Sequence, residues 1–219
     1  CPPTMIEAGG KRQLLIWHPQ AMNSLNPETG EVYWSDPLKP QYEMSLTAPQ
    51  KSGDYLYASG IGKCAALYKL SREKPAADVI WTGNPNTGVF CGNSTPQIDG
   101  DTIYGNDCEV GNLRAVKLAI GERLWETFKP TTGGERRESH GTAFLTKNGD
   151  RYFLFNETGD LIIARLTPEK YEEISRAHLL EPTNEAFGRP VVWSHPAYAN
   201  KCMFVRNDKE IVCVSLAAK

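Results

Sequence analysis

The stretch 92–125, GNSTPQIDGDTIYGNDCEVGNLRAVKLAIGERLW, decides the fold because it is predicted to form one unit of four short strands. Turn residues separate the apolar runs, and each run is too short for a helix. The first turn is the Asp-Gly-Asp triplet at 99–101, and the last is Ala-Ile-Gly-Glu at 119–122. The predicted strands cover residues 94–98, 102–105, 112–118 and 123–125.

The rest of the chain contains imperfect copies of this unit. A tryptophan closes three units, at Trp34, Trp81 and Trp125, and Ile174 stands at the equivalent place in a fourth. We expect these tryptophans to be structural, because burying an indole ring stabilises a fold. A turn between the first and second strands recurs five times, and successive copies begin 43, 47, 49 and 51 residues apart. The five turns are Gly10-Lys11, Gly53-Asp54, Gly100-Asp101, Gly149-Asp150 and Asn200-Lys201.

A period in the forties with four strands per unit is typical of β-propeller blades. The sequence therefore predicts an all-β fold, a single β-propeller domain or propeller fragment over 1–219, with four-stranded antiparallel blades. Because the last unit has only three predicted strands, the ring stays open. Either further blades lie upstream in a longer chain, or the ring is small or completed by a partner chain, and we favour a larger ring. The units cover about 1–43, 44–91, 92–138, 139–190 and 191–219.

One segment carries conflicting signals for helix and strand. Thr167 and Pro168 could begin a helix over 168–177, since proline is favoured at the first helical position. The repeat instead places the fourth strand of its unit at 171–175. We expect a short turn of helix that leads into a strand.

Composition excludes several classes of function. The net charge is −2, with 24 basic and 26 acidic residues, so the chain lacks the basic footprint of a nucleic-acid partner or of a membrane surface. No apolar run approaches the roughly 20 residues that span a bilayer, and we predict no transmembrane segment. The chain begins at Cys1 without a signal peptide or an initiator methionine, which favours a mature, trimmed or partial product.

Two units carry a family motif. LNPETGEVYW at 25–34 and VKLAIGERLW at 116–125 resemble the Ala-x-Asp-x-x-Thr-Gly-x-x-x-Trp repeat of the quinoprotein-like, or PQQ-binding-like, propellers. The units at 44–91 and 139–190 lack its Thr-Gly turn. That family contains the pyrroloquinoline quinone (PQQ) dehydrogenases, a non-catalytic outer-membrane assembly lipoprotein and many uncharacterised bacterial members. The resemblance implies the propeller fold and a non-catalytic binding or assembly scaffold whose ligand is unknown.

The alternative implied by the resemblance is a PQQ-dependent dehydrogenase, or a fragment of one. Such a site needs a quinone stacked in the channel, a Ca²⁺ ligated by Glu and Asn, an Asp base and often a pair of adjacent cysteines. The chain has no adjacent cysteines, and its acidic residues form no recognisable version of that site. We therefore expect no cofactor, with PQQ and Ca²⁺ belonging only to the alternative. A third hypothesis, a hydrolase or lyase using the Arg and His residues of 136–140, rests on residue type alone.

The six cysteines lack metal-type Cys-x-x-Cys spacing, so we expect no metal site. The residue numbers of Cys202 and Cys213 have the same sum as those of the predicted turn, Asn207-Asp208, which places the two cysteines opposite each other. Cys91 and Cys108 are likewise opposed, within one residue, across the turn at 99–101. We predict two disulfides, Cys91–Cys108 and Cys202–Cys213, with reduced thiols left open for the second pair. Disulfides would favour a periplasmic or secreted protein. Cys1 and Cys64 have no predicted partner.

In a propeller, the connections into each first strand and the turns between second and third strands share one face, which we call the loop face. An unknown protein or small-molecule ligand is expected to dock there, although a solvated face remains open. Motifs for a catalytic nucleophile, a phosphate loop or a zinc helix are absent, so no catalytic residue is nominated. The polar residues predicted on this face are Asn93, Asn106, Asp107, Glu109, Arg136, Arg137, His140, Asn156, Glu157, His195, Arg206 and Asp208. Seven of them are the candidate ligand contacts: Asn93, Asp107, Glu109, Arg136, Arg137, His140 and His195.

Overall fold

A computed structural model describes residues 1–217 and confirms the all-β prediction. Four antiparallel meanders of four strands succeed one another along the chain and form blades 1 to 4. A two-stranded hairpin comes next, and then a three-stranded sheet, blade 5. A single turn of 3-10 helix lies at Gln41–Glu43. No helix within 1–217 has the length and apolar character needed to cross a membrane.

The strand bounds agree with the repeat. Blade 1 has β1 (Thr4–Ala8), β2 (Lys11–His18), β3 (Ala21–Leu25) and β4 (Val32–Asp36). Blade 2 has β5 (Gln50–Ser52), β6 (Tyr55–Gly60), β7 (Cys64–Leu70) and β8 (Ala77–Thr82). Blade 3 has β9 (Gln97–Asp99), β10 (Thr102–Asp107), β11 (Asn112–Lys117) and β12 (Arg123–Thr127), and blade 4 has β13 (Ala143–Asn148), β14 (Arg151–Asn156), β15 (Asp160–Leu166) and β16 (Tyr171–His178). The hairpin is β17 (Asn184–Ala186) and β18 (Arg189–Val191), and blade 5 has β19 (Ala197–Ala199), β20 (Cys202–Arg206) and β21 (Ile211–Ser215).

The conflicting segment at 168–177 forms a strand and contains no helical turn. Thr167 donates its backbone N–H to the carbonyl of Lys170, 3.0 Å away, which closes a tight turn. The Thr167 hydroxyl oxygen accepts the N–H of Lys170 at 3.2 Å. Strand β16 then begins at Tyr171 and pairs with β15. The threonine therefore caps a turn, as expected, but pairing with the neighbouring strand makes the next residues extended.

Hydrophobic cores lie between neighbouring blades. Successive side chains of a strand point to opposite faces, so an inner blade must be apolar on both. In blade 3, Ile103 packs into the core shared with blade 2, and the next residue, Tyr104, packs into the core shared with blade 4. Two further cores of the same kind join blade 1 to blade 2 and blade 4 to blade 5.

Tryptophans that close a blade contact the next blade. The indole N–H of Trp81 donates to the carbonyl of Leu118 in blade 3, at 2.8 Å. Gly121 lies beneath the same ring with φ +73°, and a Cβ added there would come within 3.1 Å of the ring atoms. Trp125 donates in the same way to the Thr167 carbonyl of blade 4, at 2.8 Å. Trp34 packs instead against Tyr68 of blade 2, with ring centroids 5.7 Å apart and the rings tilted by 36°.

The two predicted disulfides are wrong, and the six cysteines are free thiols. Cys213 lies opposite Phe204, and Cys202 lies opposite Ser215, because the turn is centred one residue later than predicted. Strand β9 begins only at Gln97, so Cys91 does not continue the ladder towards Cys108.

Cys108 does not face Cys91. It donates its N–H to the Phe90 carbonyl at 2.6 Å, so Phe90 lies opposite it.

The thiols in the blade cores are also unreactive. Burial raises the pKa of the Cys64 and Cys91 thiols to about 12. These thiols are protonated at neutral pH, and the reactive form of a cysteine is the thiolate. Because the cysteines are free thiols, they give no argument for an oxidising compartment.

Replacing Gly121 with alanine should destabilise the protein more than the matched change Gly149→Ala. Both glycines have positive φ, at +73° and +63°, but the site of a Gly149 Cβ is open. The left-handed conformation costs an L-residue about 1 kcal/mol, and the Trp81 contact should add a comparable loss at Gly121 only. Urea denaturation monitored by tryptophan fluorescence would measure the difference. Equal midpoints for the two variants would contradict the proposed role of the ring contact.

Candidate functional site

The loop face carries a structural element that the sequence did not predict, the hairpin β17–β18. We call residues 184–191 the Phe187 hairpin, since Phe187 and Gly188 form its tip. Both tip residues have positive φ, at 51° and 72°. A two-residue hairpin turn of this hand matches the twist of the strands, and it favours Asn or Gly rather than Phe at its first position. An aromatic residue is thus held in a position that backbone sterics disfavour.

Glu157 anchors this hairpin to blade 4. It comes directly after β14, and its side chain is almost fully buried. Arg189 donates two parallel bonds to it, Nε to Oε1 at 2.8 Å and Nη2 to Oε2 at 3.1 Å. The indole N–H of Trp193 donates to Oε2 at 2.9 Å. A bidentate, charge-assisted pair of this kind is among the strongest polar contacts in proteins and has a defined geometry.

The same guanidinium reaches the connection into blade 4. Arg189 Nη2 donates to the Ser139 carbonyl at 2.9 Å, and Nη1 lies 3.3 Å from the Glu138 carboxylate. Glu138 in turn pairs with the exposed Arg136 at 3.1 Å. One arginine therefore ties together the hairpin, the turn after β14 and the loop before β13.

The exposed Phe187 ring stacks on the half-buried ring of His140 above this network. Their ring centroids are 5.0 Å apart and the rings are nearly parallel, at 12°. Phe187 is 64% exposed, and the ring of Trp193 lies 6.1 Å from it. We call His140, Phe187 and Trp193 the aromatic patch. His140 also has positive φ, at 58°, and backbone strain of this kind clusters at functional sites.

Burial keeps the His140 ring neutral. Loss of solvent lowers the pKa of His140, and the nearby Arg189 charge lowers it further, whereas the carboxylates of Glu109 and Glu157 oppose the shift. Burial also lowers the pKa of His195, against a hydrogen bond with the Asn93 backbone. Both candidate histidines therefore carry uncharged rings at neutral pH.

Two predicted residues meet near the inner strands of blades 3 to 5. The Asn93 amide donates to the Thr142 hydroxyl of blade 4 at 3.2 Å. His195, which precedes β19, packs on Phe144 with ring centroids 4.2 Å apart. The structure thus brings Asn93 and His195 together from units about 100 residues apart in sequence.

The other predicted residues lie elsewhere on the loop face. The Glu109 carboxylate accepts the Gly62 N–H at 2.9 Å and joins blade 3 to blade 2. Arg136 pairs with Glu138, and Arg137 is exposed to solvent. His140 belongs to the aromatic patch. The seven candidates therefore do not converge on a single pocket.

Asp107 is fully buried and has structural partners. Its carboxylate pairs with Arg114 and accepts the N–H groups of Phe90 and Glu109, each at 3.1 Å. Burial raises the pKa of the Asp107 carboxyl, and the Arg114 guanidinium works against that shift. Every oxygen of this carboxylate already has a partner, so Asp107 offers nothing to a ligand at the surface.

The loop face does not fit the calcium and quinone site of the dehydrogenases. Ca²⁺ takes six to eight oxygen ligands, yet the buried carboxylates of Asp107 and Glu157 are held by arginines. Within residues 1–217, no group of three or more His, Cys, Asp or Glu side chains is placed to hold a metal ion.

Sequence reasoning placed Glu157 on the loop face without a role, and it missed Phe187, Arg189 and Trp193. The repeat assigns residues 184–190 to the end of the fourth unit and predicts no hairpin there. The available signal was Gly188 at the second position of the two-residue segment Phe187-Gly188, between the short runs 184–186 and 189–191, a spacing compatible with a hairpin. No local pattern indicates that Arg189 pairs with a carboxylate 32 residues away.

Comparison with known proteins identifies the fold. No family model matches the chain, and no curated protein matches it. BamB from Moraxella catarrhalis aligns with a TM-score of 0.62 and 16% identity over 96% of this chain and 55% of BamB. The chain is a β-propeller. The designed protein Ika8 aligns with a TM-score of 0.56 and 9% identity over 97% of this chain and 57% of Ika8.

A third neighbour of this propeller is a Bacteroides fragilis protein assigned as a 6-phosphogluconolactonase. It aligns with a TM-score of 0.57 and 14% identity over 90% of this chain and 60% of its own. The chain thus spans little more than half the length of these structures. A natural protein, a designed protein and one assigned to an enzyme class share the fold, so the likeness does not determine function.

The Phe187 hairpin should loosen when Arg189 is replaced by alanine. Removing the arginine leaves the Glu157 carboxylate buried without its counter-ion, which typically costs about 3 kcal/mol. Hydrogen exchange measured by mass spectrometry should rise across 184–193. Arg136→Ala is the control, because an exposed ion pair contributes little. Similar exchange in the two variants would contradict the anchoring role of Glu157.

Acidification should destabilise the protein partly through His140. Because burial lowers the pKa of His140, the unfolded chain takes up this proton first, and stability is lost as the pH falls below about 6.5. The variant His140→Gln should lose less unfolding free energy than the wild type between pH 7.5 and 5.0, as measured by urea denaturation. An unchanged loss in His140→Gln would contradict the burial argument.

Proposed function

We propose that this propeller is a non-catalytic binding or assembly scaffold whose loop face docks a protein partner at the aromatic patch. The observation that carries the proposal is Phe187, which is 64% exposed at a strained hairpin tip and held there by a buried ion pair. Aromatic side chains that are fixed before binding are typical anchors of protein interfaces, because little conformational entropy is lost on association.

The shape of the patch favours a protein over a small molecule. Small molecules bind in concave pockets that bury most of their surface, whereas Phe187 projects from the tip of a hairpin. Further exposed apolar side chains, Tyr42, Met44 and Leu46, lie on the connection between blades 1 and 2. A specific protein interface buries roughly 1,600 Å² in total, and a partner covering several loops would reach that size.

A PQQ-dependent dehydrogenase is the competing function, because the motifs at 25–34 and 116–125 resemble that family. Against it, the buried carboxylates of Asp107 and Glu157 are paired with arginines. Adding PQQ and Ca²⁺ at 100 times the dissociation constant of a true site should stabilise the protein by about 2.7 kcal/mol. The scaffold proposal expects no thermal shift and no dye-linked alcohol oxidation.

A periplasmic or secreted location stays a prediction. The predicted disulfides no longer support it, because the cysteines are free, and it rests on the resemblance to a family that contains an outer-membrane assembly lipoprotein. A nucleic-acid partner is not expected, because the net charge of −2 gives no excess of basic residues.

A photo-crosslinking amino acid at position 187 should capture a partner in the source cells. The matched control is position 120, since Ile120 is 55% exposed but lies in the β11–β12 turn, on the opposite face. We expect one discrete adduct from position 187, and its loss when Arg189→Ala releases the hairpin. Equal yields from the two positions, or no adduct from position 187, would contradict docking at the aromatic patch.

A further inference from the structure

The outer strand of blade 4 lacks the tryptophan that closes the blades before it. Trp81 and Trp125 each pair with the third strand of their own blade, beside a bulge. In β16 the residue beside the same bulge is Ser175, which lies opposite Ile163. Ile174, which the repeat places at this position, is instead the extra residue of the bulge. Blade 4, all of whose strands are described, therefore has no closing indole to place against blade 5.

A closing tryptophan covers an aromatic ring in the second strand of its own blade. The ring centroids of Trp81 and Tyr57 are 5.7 Å apart, and those of Trp125 and Tyr104 are 6.0 Å apart. Both tyrosines are at most 2% exposed. Each is the third residue of its strand, and Phe153 is the third residue of β14. Phe153 is only partly buried, because Ser175 provides no ring to cover it.

Phe153 lines a cleft of about 390 Å³ between blades 4 and 5, both of which lie within the chain. Tyr198 of blade 5 stacks on Phe153 with ring centroids 5.4 Å apart, and Leu216 forms part of the blade 5 wall. Asn148 and Asn200 line the cleft from the turns between first and second strands, so it opens on the face opposite the loop face. Its volume lies within the roughly 300–1,000 Å³ of small-molecule sites.

Leu216 stands at the place of the residue that accepts the Trp81 indole N–H. Leu118 donates its own N–H to the Asp101 carbonyl at 2.8 Å, and Leu216 donates to the Lys201 carbonyl at 2.7 Å. The two leucines therefore occupy equivalent positions at the end of a third strand. Since the Leu118 carbonyl binds the Trp81 N–H, the Leu216 carbonyl is placed to bind a ring N–H between blades 4 and 5.

The cleft carries a positive charge. Lys147 and Lys201 line it, and none of its described lining residues is acidic. The Lys147 ammonium is paired with Asp99. Lys201 is exposed, and among residues 1–217 no carboxylate lies within ion-pair distance of it. The charge at the cleft therefore favours an anionic ligand over a cationic one.

We propose that the cleft between blades 4 and 5 binds a small planar aromatic carboxylate of indole size. Its ring lies against Phe153, where the neighbouring blades place a tryptophan. A ring N–H donates to the Leu216 carbonyl, and the carboxylate pairs with Lys201. The site is separate from the aromatic patch on the loop face, so it does not depend on the proposed docking function.

Calorimetric titration of the 219-residue chain with indole-3-acetate tests the site. We expect saturable binding of one molecule per chain. Cyclohexylacetate has the same charge but no aromatic ring, and it should bind about tenfold more weakly because the stacking contact is lost.

Replacing Ser175 with tryptophan should fill the cleft with an indole from the chain itself. The variant should bind indole-3-acetate at least about tenfold more weakly and should melt at a higher temperature than the wild type. Ser175→Ala is the matched control and should retain the wild-type affinity. Phe153→Leu removes the ring platform while keeping an apolar side chain, and it should also weaken binding if Ser175→Trp does not fold.

The role of Lys201 is tested with a charged and a neutral probe. Lys201→Gln should weaken the binding of indole-3-acetate severalfold and leave the binding of neutral indole unchanged, because only the first probe carries a carboxylate. An equal loss for both probes would refute the ion pair.

Three results would overturn the site itself. One is the absence of saturable binding of indole-3-acetate to the wild-type chain. The second is equal affinity for cyclohexylacetate, which would mean that no aromatic ring is recognised. The third is wild-type affinity in both Ser175→Trp and Phe153→Leu when their melting curves show folded protein, which would place the bound molecule elsewhere.

Discussion

The packing of blade 2 on blade 3 depends on an indole ring lying on a glycine turn. Trp81 covers Gly121 and donates to the Leu118 carbonyl. Gly121 is required twice, because its φ is positive and because a side chain would displace the ring. This contact joins the outer strand of blade 2 to the turn before the outer strand of blade 3. The same short motif therefore shapes a blade and positions its neighbour.

Because the tryptophan contact lies at the outer strands, it does not depend on the connections of the loop face. The acidic residues of these connections organise them. Asp107 is held by Arg114, Glu109 accepts a backbone N–H from blade 2, and Glu157 takes two bonds from Arg189. Carboxylates that could have been ligands instead fix strands and loops in place: Asp107 within blade 3, Glu109 between blades 2 and 3, and Glu157 between blade 4 and the Phe187 hairpin. The Phe187 ring, 64% exposed, is held in position by this last pair.

The errors in the sequence-based predictions have a common physical origin. The disulfide argument assumed that strands pair regularly up to the predicted turn centre. Moving that centre by one residue moves the partner of Cys213 by two positions, from Cys202 to Phe204. Similarly, the unpaired run before Gln97 breaks the ladder that would have opposed Cys91 and Cys108. Register depends on how a turn closes, and composition alone does not indicate that.

The amino-acid sequence by itself determined the strand order, the four-stranded repeat and the places of the closing tryptophans. These features are local, since they depend on alternation of apolar residues and on glycines at turns. The tertiary structure alone decided that 184–191 forms a hairpin, that Arg189 pairs with Glu157 and that Phe187 stacks on His140. Those contacts join residues 32 to 47 positions apart, and only the packing of the hairpin on blade 4 and its entering loop brings them together.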